Sequence, residues 1–171
     1  MLRPDIEKIP LFYKGYVEGI PENKELLPSL IDSRDEFVSL LDEIPEEKGD
    51  YAYASDKWTI KEMISHICDA ERIFSYRALR FGRGDMTDLP GFEQDDYVVN
   101  SRANERSIAV HRTEFINVRN ATIDLFSSFC ERELVRFGSA NGLRVDVNSI
   151  GYITIGHLYH HIEILKSRYL K

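Results

Sequence analysis

Three of the five histidines in this chain fall within five residues near its C-terminus, His157, His160 and His161. His157 and His161 are four apart, which on an α-helix sets both imidazoles on one face, one turn from each other. Two imidazoles so placed can hold a divalent transition metal such as zinc. They hold it poorly without a third ligand, and the same spacing also suits a surface or packing pair. His160 projects about 60° away from His157 and reads as a flanking group. The rest of the chain is therefore read for a third ligand and for the elements that would carry it.

The first twenty residues carry Pro4, Pro10 and Gly15 among Phe12, Tyr13, Tyr16 and Val17. They predict an N-terminal arm (1–20) packed on the body of a single domain spanning 1–171. Pro21 then opens a pattern in which Leu27, Leu30, Arg34, Phe37, Leu41 and Ile44 step three and four residues at a time. That is one amphipathic helix, with Pro28 near its start and Pro45 closing it. A second helix is expected from about Trp58 to Phe81, with Thr59 and Glu62 as a capping box. Its apolar sector holds Ile60, Met63, Ile64, Ile67, Phe74 and Phe81, and His66 lies at the edge of that sector. Residues 83–100 form a long polar connection, either a lid over a site or a plain crossover. The third helix is expected from about Ser101 to Phe129, with His111 on its apolar seam as a satisfied core or interface group. Leu134 to Val147 alternates apolar and polar residues around Gly138 to Gly142, the signal of a small β-hairpin. The fourth helix runs from about Asn148 to Tyr169.

Four amphipathic helices predict an all-α four-helix bundle with a small β-hairpin before the last helix. If successive helices run antiparallel, the second and fourth are parallel. His66, eight residues after Trp58, and His157, seven after Ile150, then sit at about the same height. Such a bundle could build a metal site from His66, His157 and His161. Asp69, three residues after His66, could orient an imidazole or accept a proton, or be an ordinary surface carboxylate. Glu62 is better explained by its cap, and Glu71 as a buried carboxylate paired with an arginine. Arg77 and Arg168 lie eleven residues beyond His66 and His157 on the same projected faces. Each could meet a substrate carboxylate or close a structural salt bridge.

Composition bounds the function. Hydrophobic residues make up 43 % and the net charge is -7, a globular and acidic chain with no basic surplus for nucleic acid. No apolar run reaches the roughly 20 residues that span a bilayer, and Met1 to Asp5 shows no signal core. No nucleic-acid or membrane partner is expected, and a cytoplasmic location is. Cys68 and Cys130 are expected to stay reduced, Cys68 in the core.

The stretch Trp58-Thr59-Ile60-Lys61-Glu62-Met63-Ile64-Ser65-His66-Ile67-Cys68-Asp69-Ala70-Glu71-Arg72 resembles the second-helix signature of the DinB-like superfamily. Tyr76 to Phe81 and Leu89-Pro90-Gly91-Phe92 resemble the segments after that helix in one branch of the family. Gly156-His157-Leu158-Tyr159-His160-His161 through Leu170 resembles the fourth-helix motif. The resemblance implies a bacterial four-helix bundle, frequently a homodimer. It implies a divalent metal, zinc or nickel, on three histidines that match His66, His157 and His161. Its characterised members imply thiol S-transfer, thiol-dependent isomerisation or hydrolysis on a small-molecule substrate, with a low-molecular-weight thiol as a cosubstrate in some. The alternative is a non-catalytic, metal-stabilised or stress-related dimeric binding protein.

Overall fold

The computed structural model describes residues 1–171. In chain order its elements are α1 (Leu11–Val17), α2 (Leu26–Asp42), α3 (Ile60–Gly82), α4 (Gln94–Asn100), α5 (Ile108–Ser127), α6 (Glu131–Leu134), β1 (Phe137–Ala140), β2 (Leu143–Asp146) and α7 (Val147–Ile164), with a π-helical turn at Leu165–Tyr169. Three of the four long helices start at a side chain that accepts from a free backbone N–H. Thr59 accepts from Glu62 N while the Glu62 carboxylate accepts from Thr59 N, completing the capping box. Ser107 accepts from Val110 N at the head of α5, and Asp146 from Ser149 N at the head of α7.

The third long helix begins at Ile108, seven residues later than the expected start at Ser101. Arg102 adopts φ 53, a left-handed conformation that breaks the run, and α4 and a turn at Ala103–Glu105 fill the interval. The hairpin pairs Phe137 with Asp146 and Ala140 with Leu143. Asn141 (φ 53) and Gly142 (φ 70) form its tip, the positive dihedrals that a tight two-residue turn needs.

The order of the helices differs from the expected one. α2 and α3 each pack against both α5 and α7, so the consecutive helices α2 and α3 stand diagonally. One core cluster joins the start of α2 (Leu26, Leu30), the ends of α3 and α5 (Phe81, Phe126) and the start of α7 (Val147, Ile150). The other joins the end of α2 (Leu41), the starts of α3 and α5 (Ile60, Ile108) and the end of α7 (Leu165). The path is therefore up, down, down, up. α3 and α7 are antiparallel, not parallel as simple alternation requires. The parallel pair α3 and α5 is possible because residues 83–107, with α4, carry the chain back along the bundle.

Between the two clusters lies a buried ion pair. Arg119 Nε and Nη2 donate to Glu71 Oε1 and Oε2 at 2.7 and 2.9 Å, and Arg119 Nη1 also donates to Ser33 Oγ at 2.6 Å. The arm packs on α7 through α1, burying Tyr13 and Val17. Its backbone passes so close to Gly156 that a Cβ there would meet Tyr16 O at 1.9 Å. Only glycine admits that approach.

Candidate metal centre

His66 lies in the first third of α3, between core residues of both clusters, and His157 and His161 lie in the second half of α7. Near the middle of an antiparallel pair, residues still come level, so these side chains meet although the helices run opposite to expectation. His157 Nε2 stands 3.1 Å from His66 Nε2 and 3.2 Å from His161 Nε2. One ring nitrogen of each of the three lies within 4.8 Å of the others. The residues are only 3 %, 6 % and 7 % exposed for His66, His157 and His161.

Burial, the largest influence, lowers all three from the ordinary imidazole range. His66 falls to about 4, with the charge of Asp95 opposing the shift, and His157 falls well below the ordinary value with the neighbouring imidazoles adding to burial. His161 moves the same way for the same reasons. The rings are thus neutral near pH 7, the form that binds a metal. Three neutral nitrogens facing one point do not satisfy one another well: His66 and His161 can at best both donate to His157, and His161 Nδ1 is buried without a partner. Two nitrogens on a tetrahedral zinc at about 2.0–2.1 Å would stand about 3.3 Å apart. The donor set therefore fits a divalent metal.

Trp58 lies against His66 with ring centroids 4.6 Å apart, and Tyr16 sits edge-on to His157 at 5.5 Å. His66 and His157 form part of the wall of a cavity of about 310 Å³, lined also by Tyr13, Phe74, Arg77 and Phe92. Gly91, Glu93 and Gln94 from residues 83–100 border it too, so that connection serves both as crossover and as a wall of the site. His161 faces a second hollow shared with Asp95 and Tyr53.

The other candidate residues lie apart from the cluster or serve structural roles. Asp69 does not line the cavity; it accepts from Arg72 Nη1 at 3.2 Å, and burial, partly offset by Arg72, raises its pKa. Glu62 serves its cap and Glu71 its arginine. His111 is fully buried and donates from Nε2 to Ala103 O at 3.0 Å. His160 is exposed at the flank, against Tyr16. Tyr152 donates its one hydroxyl proton to Lys24 O at 2.6 Å, with Met1 O 3.1 Å away, and does not line the cavity, nor does Arg168. Two residues near the cluster, Asp95 and Tyr16, carry no distinguishing signal in the sequence. The aromatic spacing of Tyr13 and Tyr16 signals packing only, and Asp95 is one acid in an acidic stretch.

The family model described as DinB superfamily matches residues 29–165. The fold is similar to that of YfiT from Bacillus subtilis, described as a probable metal-dependent hydrolase with an unusual four-helix bundle topology, with a TM-score of 0.72 at 10 % identity over 86 % of this chain and 89 % of that one. It is also similar to the mycothiol-dependent maleylpyruvate isomerase, with a TM-score of 0.68 at 11 % identity over 93 % of this chain and 62 % of that longer one. No curated protein sequence matches the chain.

Proposed function

The chain belongs to the DinB superfamily, and from that premise we propose that it is a metal-dependent enzyme acting on a small molecule by thiol transfer or hydrolysis. The convergence of three neutral histidine nitrogens, two of them on residues that wall a cavity, is the observation that supports this most. His66, His157 and His161 would hold zinc or nickel. Bound by three uncharged ligands, such a metal keeps its charge and makes a water or a thiol more acidic.

The chain's own residues do the rest. Burial keeps the three imidazoles unprotonated, so no proton must leave before they bind. Trp58, Tyr16 and Phe74 pack against the His66 and His157 rings from several sides. Asp95 is the carboxylate whose charge acts on His66, and it borders the hollow beside His161. In this proposal Asp95, on the His161 side of the cluster, would be the general base in place of Asp69.

Elemental analysis of the purified protein tests the reading, beside His66→Ala and His157→Ala. About one zinc or nickel per chain is expected in the parent, with most of it lost in each variant while circular dichroism stays helical. Full occupancy in either variant would sink the assignment. Metal present but indifferent to thiols and to hydrolysable small molecules favours a non-catalytic, metal-stabilised binding protein.

A further inference from the structure

Two arginines are buried in this protein, and their surroundings differ. Arg119 has Glu71, Ser33 Oγ and Leu30 O around its guanidinium. Arg77, 5 % exposed, has one partner, Pro90 O, which accepts from its Nη2 at 3.1 Å, and it forms no salt bridge. A buried guanidinium without an acid is costly, and folded proteins ordinarily supply a counter-charge. None of Arg77's nitrogens is both sealed from solvent and unpaired, and its side chain lines the cavity together with His66 and His157.

We propose that Arg77 is a specificity-determining residue that binds a carboxylate of the substrate, placed at the far end of the cavity from the histidine cluster. This rests on the reading of the cluster as a reaction centre. Eleven residues separate His66 from Arg77 on α3, about 16 Å along the axis. An arginine side chain leans toward its helix N-terminus, which shortens that separation. A ligand reaching both ends passes Tyr13, Phe74 and Phe92. The substrate class is therefore an elongated, partly apolar or aromatic monocarboxylate with its reacting group remote from the acid.

The surrounding charge favours a carboxylate over a phosphate. Arg77 is the single cationic side chain lining the cavity, and Glu93 borders the same space. The nearby start of α4 already carries Asp95 and Asp96, which answer the positive end of the helix. A dianion would meet one cation among these acids. A single negative carboxylate matches one planar guanidinium fork.

The test is calorimetric titration of the purified protein, as isolated and after chelation, with 3-phenylpropanoate, 3-phenylpropan-1-ol and phenyl phosphate. The acid should bind more tightly than the alcohol by roughly tenfold or more, a difference that Arg77→Gln abolishes and Arg77→Lys only partly preserves. Metal content should be unchanged in both variants, so loss of metal and loss of acid recognition are read separately. A second measurement needs no variant: the Arg77 Nε–H resonance should shift with the acid and not with the alcohol. Equal binding of acid and alcohol, no binding of either, or unaltered acid binding in Arg77→Gln each overturns the inference. Preference for phenyl phosphate through Arg77 overturns the carboxylate assignment. A protein that holds no metal yet binds the acid through Arg77 retains this subsite and loses the proposed reaction.

Discussion

Among single residues, the two cysteines separate most clearly by burial. Burial pushes the Cys68 thiol far above its ordinary range, with the acids Glu114 and Glu71 adding to it, while Cys130 is exposed. Since the thiolate is the nucleophile, iodoacetamide should label Cys130 and spare Cys68 in the native protein. Mass spectrometry of native and denatured samples checks this, and equal native labelling would show that the core around Cys68 opens readily. The residues of the candidate metal centre differ in how far the sequence alone reveals them. His157 and His161 announce themselves by four-residue spacing, and His66 by its place at the edge of an apolar sector. Asp95 and Tyr16 are silent because their roles depend on which segments fold across the cluster. Arg77 is intermediate: its face can be projected, but only the fold shows that no acid reaches it.

At the scale of elements, the contact between the arm and α7 depends on Gly156. Gly156→Ala would place a methyl group into the Tyr16 carbonyl. It should cost about 1–3 kcal/mol and loosen α1, which carries Tyr13 and Tyr16 of the cavity wall. Thermal unfolding measures the first effect, and hydrogen exchange of the α1 amides measures the second. Unchanged protection in α1 would mean that the close approach yields easily. This contact is hidden in the sequence, where Gly156 reads as an ordinary helix weakness. The periodic stretches do locate all four long helices, and the capping box at Thr59 and Glu62 sets one boundary closely. α5 starts later than expected because Arg102 turns the backbone left-handed and Ser107, six residues beyond Ser101, caps the helix. Nothing local in the sequence announces that conformation.

At the scale of the whole molecule, the Glu71–Arg119 pair sits where the two core clusters adjoin, linking α3 to α5 while Ser33 ties in α2. Removing one charge strands the other in a dry interior. Glu71→Gln should therefore destabilise the protein by about 3–5 kcal/mol, read from the midpoint of urea unfolding. An apolar replacement of both partners should recover much of that loss, and failure to recover would assign the cost to lost packing instead. The fold class was legible from the four stripes and the helix directions were not. Amphipathic stripes state which faces meet a core but not which helices share it, and the 83–107 connection is long enough to permit either direction. The placement of Trp58 has an optical consequence for the entire chain. It is the only tryptophan, and its ring lies 4.6 Å from that of His66. All indole emission from this protein therefore originates beside the three histidines, where a paramagnetic ion such as nickel quenches and a closed-shell ion such as zinc does not, so the fluorescence of the unlabelled molecule discriminates between the two.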